Sequence, residues 1–86
     1  MKELVRAVHQ AGKVVAAICH GPWVLVSAKV LRGVRCTSFV GIKDDIENAG
    51  GLWEDSAVVC DKKLITSRLP SDLTPFCKAI IAEMTA

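Results

Sequence analysis

Residues 12–27 read Gly12-Lys13-Val14-Val15-Ala16-Ala17-Ile18-Cys19-His20-Gly21-Pro22-Trp23-Val24-Leu25-Val26-Ser27, and the fold is decided here. Val14 to Ile18 are consecutive small or β-branched apolar residues without polar alternation. They predict a strand over 14–18 buried on both faces, as parallel strands are when helices cover the sheet. Pro22 suits the first turn of a helix, because its missing N–H would have had no intrahelical partner and its φ is already helical. Cys19 therefore falls where a strand gives way to a helix. Unpaired N–H groups at a helix N-terminus attract negative charge, so this position favours a thiolate, the nucleophilic form. His20 is the candidate general base and acid beside it. The backbone N–H groups of His20 and Gly21 are candidates to stabilise the oxyanion formed when a thiolate attacks a carbonyl.

On the amino-terminal side, Leu4, Val5, Val8 and Ala11 recur at helical spacing over residues 2–11, and Gly12 is a stop signal. His9 is expected on the partly exposed side of that helix, without a catalytic role. On the other side, residues 22–31 are apolar almost all round and predict a buried helix ended by Gly33. Residues 35–40 predict a second strand by their β-branched and aromatic content, broken by Gly41. Ile42, Ile46 and Ala49 share one side of a short helix over 42–49, closed by Gly50-Gly51. Asp44, Asp45 and Glu47 form its solvated face.

Leu52-Trp53-Glu54 is a short extended piece. Residues 57–60 and 64–67 predict a hairpin around Asp61-Lys62-Lys63, a turn that lacks glycine. Ser71-Asp72 offers capping oxygens to a last helix striped by Phe76, Ile80, Ile81 and Met84. The order α-β-α-β-α-β-β-β-α is that of an α/β fold with a late β-hairpin.

Composition narrows the function. The chain has 86 residues, 51% of them hydrophobic, and a mean hydropathy of +0.36. That is high for so small a domain and predicts apolar surface that meets another chain or segment. A net charge of +2, with Lys and Arg scattered, argues against nucleic acid. No apolar run approaches the ~20 residues of a membrane span, and the N-terminus lacks the apolar core of a signal peptide. A cytoplasmic protein without membrane contact is the expectation. The four cysteines, Cys19, Cys36, Cys60 and Cys77, contain no C-x-x-C pair. Neither a zinc site nor a disulfide framework is indicated. Adjacent residues such as Cys19 and His20 rarely converge on one tetrahedral metal, so neither metal nor cofactor is predicted. Cys36, Cys60 and Cys77 read as small buried hydrophobes.

Several motifs, in order, resemble a known family. They are Ala16-Ala17-Ile18-Cys19-His20-Gly21-Pro22, Leu31-Arg32-Gly33, Thr37-Ser38, Asp44-Asp45 to Asn48-Ala49-Gly50-Gly51, and Leu64-Ile65-Thr66-Ser67-Arg68 with Pro70, Asp72-Leu73 and Phe76. Together they resemble the carboxyl-terminal half of the ThiJ/PfpI proteins, intracellular cysteine peptidases and protein deglycases of the glutamine-amidotransferase-like superfamily. The resemblance implies a flavodoxin-like parallel-sheet sandwich, here a single partial domain over residues 1–86. It also implies Cys19 as nucleophile and His20 as its partner. Family members are about twice this length, near the size of one ordinary domain. Their first half supplies the early strands and a glutamate that contacts the cysteine, and a further acid from a neighbouring subunit orients the histidine in peptidase-like members. This chain departs from the family in having Asp61-Lys62-Lys63 where Asp-Gly-Asn is usual, and Lys29 where a small residue is usual.

The function that follows is a cysteine-dependent hydrolase of a peptide, an amide or a glycated protein, with the isolated chain expected to be inactive. The alternative is a redox-sensing or chaperone-like stress protein in which Cys19 is reversibly oxidised, since the thiolate is also the form that oxidises. The strand over 14–18 is expected to lack a neighbour on one edge. A homo-oligomer, or a complementing amino-terminal half, is the expected partner.

Overall fold

The computed structural model describes residues 2–85. Its elements, in order, are α1 (Lys2–Gln10), β1 (Val15–Ile18), α2 (Pro22–Ala28), β2 (Arg35–Cys36), α3 (Lys43–Asn48), β3 (Leu52–Trp53), β4 (Val58–Asp61), β5 (Leu64–Ser67) and α4 (Leu73–Thr85). Short 3₁₀ turns at Val40–Ile42 and Pro70–Asp72 lead into α3 and α4. The α/β alternation and the late hairpin are those expected.

Parallel pairing of β1 with β5 sets Val15 against Leu64 and Ile18 against Ser67. β4 closes antiparallel onto the far edge of β5, and β2 pairs parallel with β3 in a second small sheet. Side chains alternate across a strand, so Leu64 and Thr66 face one side of β5 and Ile65 and Ser67 the other. Leu64 joins Leu25, Leu31, Val34, Cys36, Ile42 and Ile46 in the main core, with Val5, Val15, Ala17 and Trp53 packed against it. On the opposite face Ile65 is fully buried, and Cys60, paired with it across the hairpin, lies 3.6 Å from Glu83 of α4. The sheet is thus covered by α1, α2 and α3 on one side and by α4 on the other.

Several expectations change in the structure. β1 is not buried on both faces: its residues are half-buried and Ala16 is exposed. Only β5 flanks β1 among the described residues, so its other edge carries no strand. α2 ends early, because Lys29 takes the left-handed conformation (φ 59°) and turns the chain with bonds from Lys29 N–H to Val26 O and from Val30 N–H to Leu25 O. Trp23 and Val24 lie on the surface of α2 rather than inside. β2 is two residues long, since Thr37 to Phe39 leave the sheet toward the carboxyl end of β1. Asp72 spends its carboxylate on Arg68 instead of capping α4. Of the α4 stripe Phe76 is buried, whereas Ile81 and Met84 are exposed. Cys36 is buried as expected, but Cys60 and Cys77 are exposed. His9, half-buried, has Nε2 3.2 Å from Lys62 O.

The hairpin turn forms without glycine, and Lys62 and Lys63 both adopt positive φ, at 51° and 63°. Such a two-residue turn follows the twist of its strands, but a side chain in the left-handed region costs roughly 1–2 kcal/mol. Lys63→Gly removes that strain and gives up only an exposed 4.0 Å approach to Glu83. The variant is expected to gain about 1 kcal/mol, a rise of some 4–8 °C in Tm for a domain of this size. Thermal unfolding followed by circular dichroism checks this, and an unchanged or lower Tm contradicts it.

Candidate active site

Cys19 leaves the carboxyl end of β1 with φ 61°, the left-handed region that residues other than glycine rarely occupy. Three backbone bonds hold it there. Cys19 N–H donates to Ser67 O at 2.9 Å, Phe39 N–H donates to Cys19 O at 2.9 Å, and Gly21 N–H donates to Ile18 O at 2.9 Å. Each is worth about 1 kcal/mol net, so together they offset the roughly 1–2 kcal/mol of left-handed strain. Gly21 has an ordinary φ of −53°, and close approach is what excludes a side chain there. A Cβ would lie 3.0 Å from Ile18 O, 3.2 Å from Ile18 N and 3.3 Å from Ala17 Cβ. Trp23 N–H and Val24 N–H then bond His20 O and Gly21 O, and the helix begins.

This strand-to-helix elbow presents the thiol to its neighbour, with Cys19 Sγ 3.2 Å from His20 Nδ1. The contact serves either protonation state: a thiol donates to an unprotonated Nδ1, and Nδ1–H donates to a thiolate. Gly21 N–H is occupied by Ile18 O. His20 N–H has no backbone partner among the described residues and is the donor left beside the sulfur.

His20 is exposed, and no carboxylate contacts its ring among the described residues. Two aromatic rings flank it instead, Phe39 at 5.0 Å between centroids and Trp23 at 5.4 Å. Each ring has its own support. Trp23 Nε1–H donates to Asp45 Oδ2 at 2.8 Å, and the Phe39 carbonyl accepts from Ser38 Oγ, which itself accepts from Trp53 Nε1 at 3.1 Å. Beneath the elbow Thr37, Ser38, Thr66 and Ser67 are fully buried, with Thr37 N–H donating to Thr66 Oγ1 at 2.8 Å.

The structure sets Cys19 Sγ beside His20 Nδ1, whereas the clamp of Trp23, Phe39 and Asp45 around the imidazole has no counterpart in the sequence pattern. By its pattern Phe39 is a strand residue and Asp45 one of three solvated acids. A tryptophan on the outer face of the first turn after the cysteine was the one available signal, since its indole N–H needs an acceptor.

The remaining cysteines differ from Cys19 in setting. Burial pushes the Cys36 thiol up to about 11, with Glu54 adding to the shift, so it stays protonated at neutral pH. Partial desolvation, then the Glu83 carboxylate, raises the Cys60 thiol as well. Among the described residues no group of three His, Cys, Asp or Glu side chains could hold a metal ion, and no helix is long and apolar enough to cross a membrane.

Comparison with known proteins bears on this geometry. A deglycase of Pyrococcus abyssi is 48% identical over 79 residues, covering 92% of this chain and 48% of that protein. Protein/nucleic acid deglycase 2 of Escherichia coli is 51% identical over 67 residues, covering 77% of this chain and 39% of that protein. Among solved structures, a two-domain protein of Anabaena variabilis with DJ-1/ThiJ/PfpI-like and ferritin-like domains superposes with a TM-score of 0.95 at 44% identity, covering 98% of this chain and 24% of that one. The chain spans about half the length, or less, of the curated relatives it matches. The model of the DJ-1/PfpI family matches residues 1–83, and with the parallel sheet and the elbow at Cys19 the chain belongs to that family, whose flavodoxin-like architecture it shares.

Proposed function

We propose that this chain carries the nucleophile of a cysteine-dependent hydrolase, a deglycase or an intracellular peptidase or amidase acting on a peptide, amide or glycated protein. The observation that carries the reading is the thiol at a left-handed strand-to-helix elbow, 3.2 Å from His20 Nδ1. The names of the deglycase relatives support it. In the proposed reaction Cys19 Sγ attacks the carbonyl carbon while its proton passes to His20. The oxyanion that forms takes a hydrogen bond from His20 N–H, and from Gly21 N–H to the extent that Ile18 O shares it. With a peptide or amide, whose nitrogen sits on the attacked carbon, the imidazolium then protonates the leaving nitrogen, giving a thioester that water cleaves with His20 acting again as base. Phe39 and Trp23 restrict the imidazole, and Asp45 braces Trp23.

Incubation with an activated acyl ester, read by peptide mass spectrometry, tests the first step. The acyl adduct is expected on Cys19 and not on Cys36, Cys60 or Cys77. His20→Gln should slow it on the order of 10²-fold, the usual share of general base catalysis. Trp23→Phe, which keeps a ring but loses the bond to Asp45, should slow it by less. Adducts spread evenly over Cys19, Cys60 and Cys77 contradict the reading.

We further propose that the open edge of β1 is completed by another chain, the sheet continuing from one copy to the next. The exposed apolar side chains Val24 and Met84 line hollows along the unpaired strand beside Ala16. Light scattering at micromolar concentration is expected to give at least twice the 9.2 kDa of one chain. A sharp 9.2 kDa species across that range contradicts the assembly.

A further inference from the structure

Beside the elbow lies a groove of about 260 Å³ lined chiefly by Phe39, Val40, Trp53, Leu69, Asp55 and Arg68. Its position follows from the backbone. Ser67 holds the Cys19 N–H and is followed by Arg68; Phe39 holds the Cys19 carbonyl and its ring meets His20. The groove therefore opens at the same carboxyl edge of the sheet as the thiol, where ligands enter open α/β folds. Its walls are set in advance: Trp53 Nε1–H bonds Ser38 Oγ at 3.1 Å, and Lys43 Nζ sits 5.2 Å from the centre of the Trp53 ring.

Arg68 is the cationic group of this groove, and its two partners are unequal. Asp72 accepts from Nε at 3.1 Å and from Nη2 at 3.4 Å, and its side chain is 12% exposed. Asp55 accepts from Nη1 alone, at 2.8 Å, and its side chain is 74% exposed. A pair with so exposed a carboxylate is worth little, because water solvates the Asp55 carboxylate well. Asp72 fixes the guanidinium, and Asp55 occupies a position that another carboxylate can take. Apolar and aromatic walls with one convergent, geometrically fixed guanidinium form the recognition chemistry of a small organic acid.

We propose that this groove binds a small carboxylic acid with an apolar or aromatic body, the body between Phe39, Trp53 and Leu69 and the carboxylate on Arg68 Nη1 in place of Asp55. Binding itself does not depend on Cys19. That the acid belongs to a substrate held for attack by Cys19 is an extension that rests on the hydrolase reading.

The test is a titration with phenylacetate, with phenylacetamide as its neutral counterpart, following the ¹H–¹⁵N signals of Trp53 Nε1–H and Arg68 Nε–H. Phenylacetate is expected to give saturable shifts at both groups, and phenylacetamide none over the same range. Asp55→Asn removes the competing charge and should tighten phenylacetate about two- to fivefold, as the loss of an exposed ion pair implies. A residue that only staples the loops would not respond so. Arg68→Gln should abolish the shift at Trp53 Nε1–H, the reporter that this variant retains, and should that variant fail to fold, Asp55→Asn still decides. Equal shifts from acid and amide, or an Asp55→Asn variant that binds phenylacetate no better, overturn the proposal. Acid binding without acyl adducts on Cys19 would sink the hydrolase reading and leave the groove standing; adducts without acid binding would do the reverse.

Discussion

The peptide of Cys19 is gripped from both sides, its N–H by Ser67 O and its carbonyl by Phe39 N–H, and much else in the molecule depends on that grip. The first bond extends the parallel ladder of β1 and β5 by one residue beyond Ile18. It exists only because the hairpin of β4 and β5 lies against β1 in that register. The second requires the chain after β2 to leave the sheet and cross over the elbow, which cuts β2 to two residues and delivers the Phe39 ring to His20. A strained cysteine, a short strand and an aromatic contact to the imidazole thus share one cause. The strain of roughly 1–2 kcal/mol at Cys19 is offset by three backbone bonds of about 1 kcal/mol each around it.

Elements whose signals are local were legible in the sequence. The apolar run before Cys19, Pro22 after it, the Ile42 and Ile46 spacing and the two strands around Asp61 each declare a strand or a helix through neighbouring residues alone. The pairing of Cys19 with His20 was legible for the same reason, being a contact between adjacent residues. What could not be read depends on partners distant in sequence. The bond from Trp23 to Asp45 spans 22 residues, and its acceptor sits among acids whose pattern matches a solvated helix face. Lys29 and Lys63 carry no mark of left-handed backbone, since lysine is not a residue that favours it. The burial of β1 is less than its hydrophobicity suggests, because hydrophobicity reports which side chains want cover and not which elements lie against them.

That last point links composition to architecture. Val14 to Ile18 have the composition of an interior strand, yet β1 is an edge strand among the described residues. Exposed Val24 and Met84 line hollows beside it, while the relatives extend to about twice the matched length. The exposed apolar side chains are spread over several elements and include Val40, Leu52 and Leu73 as well. The elbow, the aromatic clamp and the Arg68 groove are built from elements that this chain contains entire. The geometry around the thiol is accordingly set by these residues, whereas the other edge of β1 carries no strand among the described residues.

The elbow of this chain is expected to raise the reactivity of Cys19, and the rate of iodoacetamide alkylation at that cysteine, folded against denatured in urea at neutral pH, reads that effect directly. A thiol presented to His20 by the folded elbow should react about tenfold faster or more in the folded chain, with Cys60 showing no such gain. Equal rates at Cys19 in the folded and denatured states would mean that the elbow confers no reactivity, and would contradict the account.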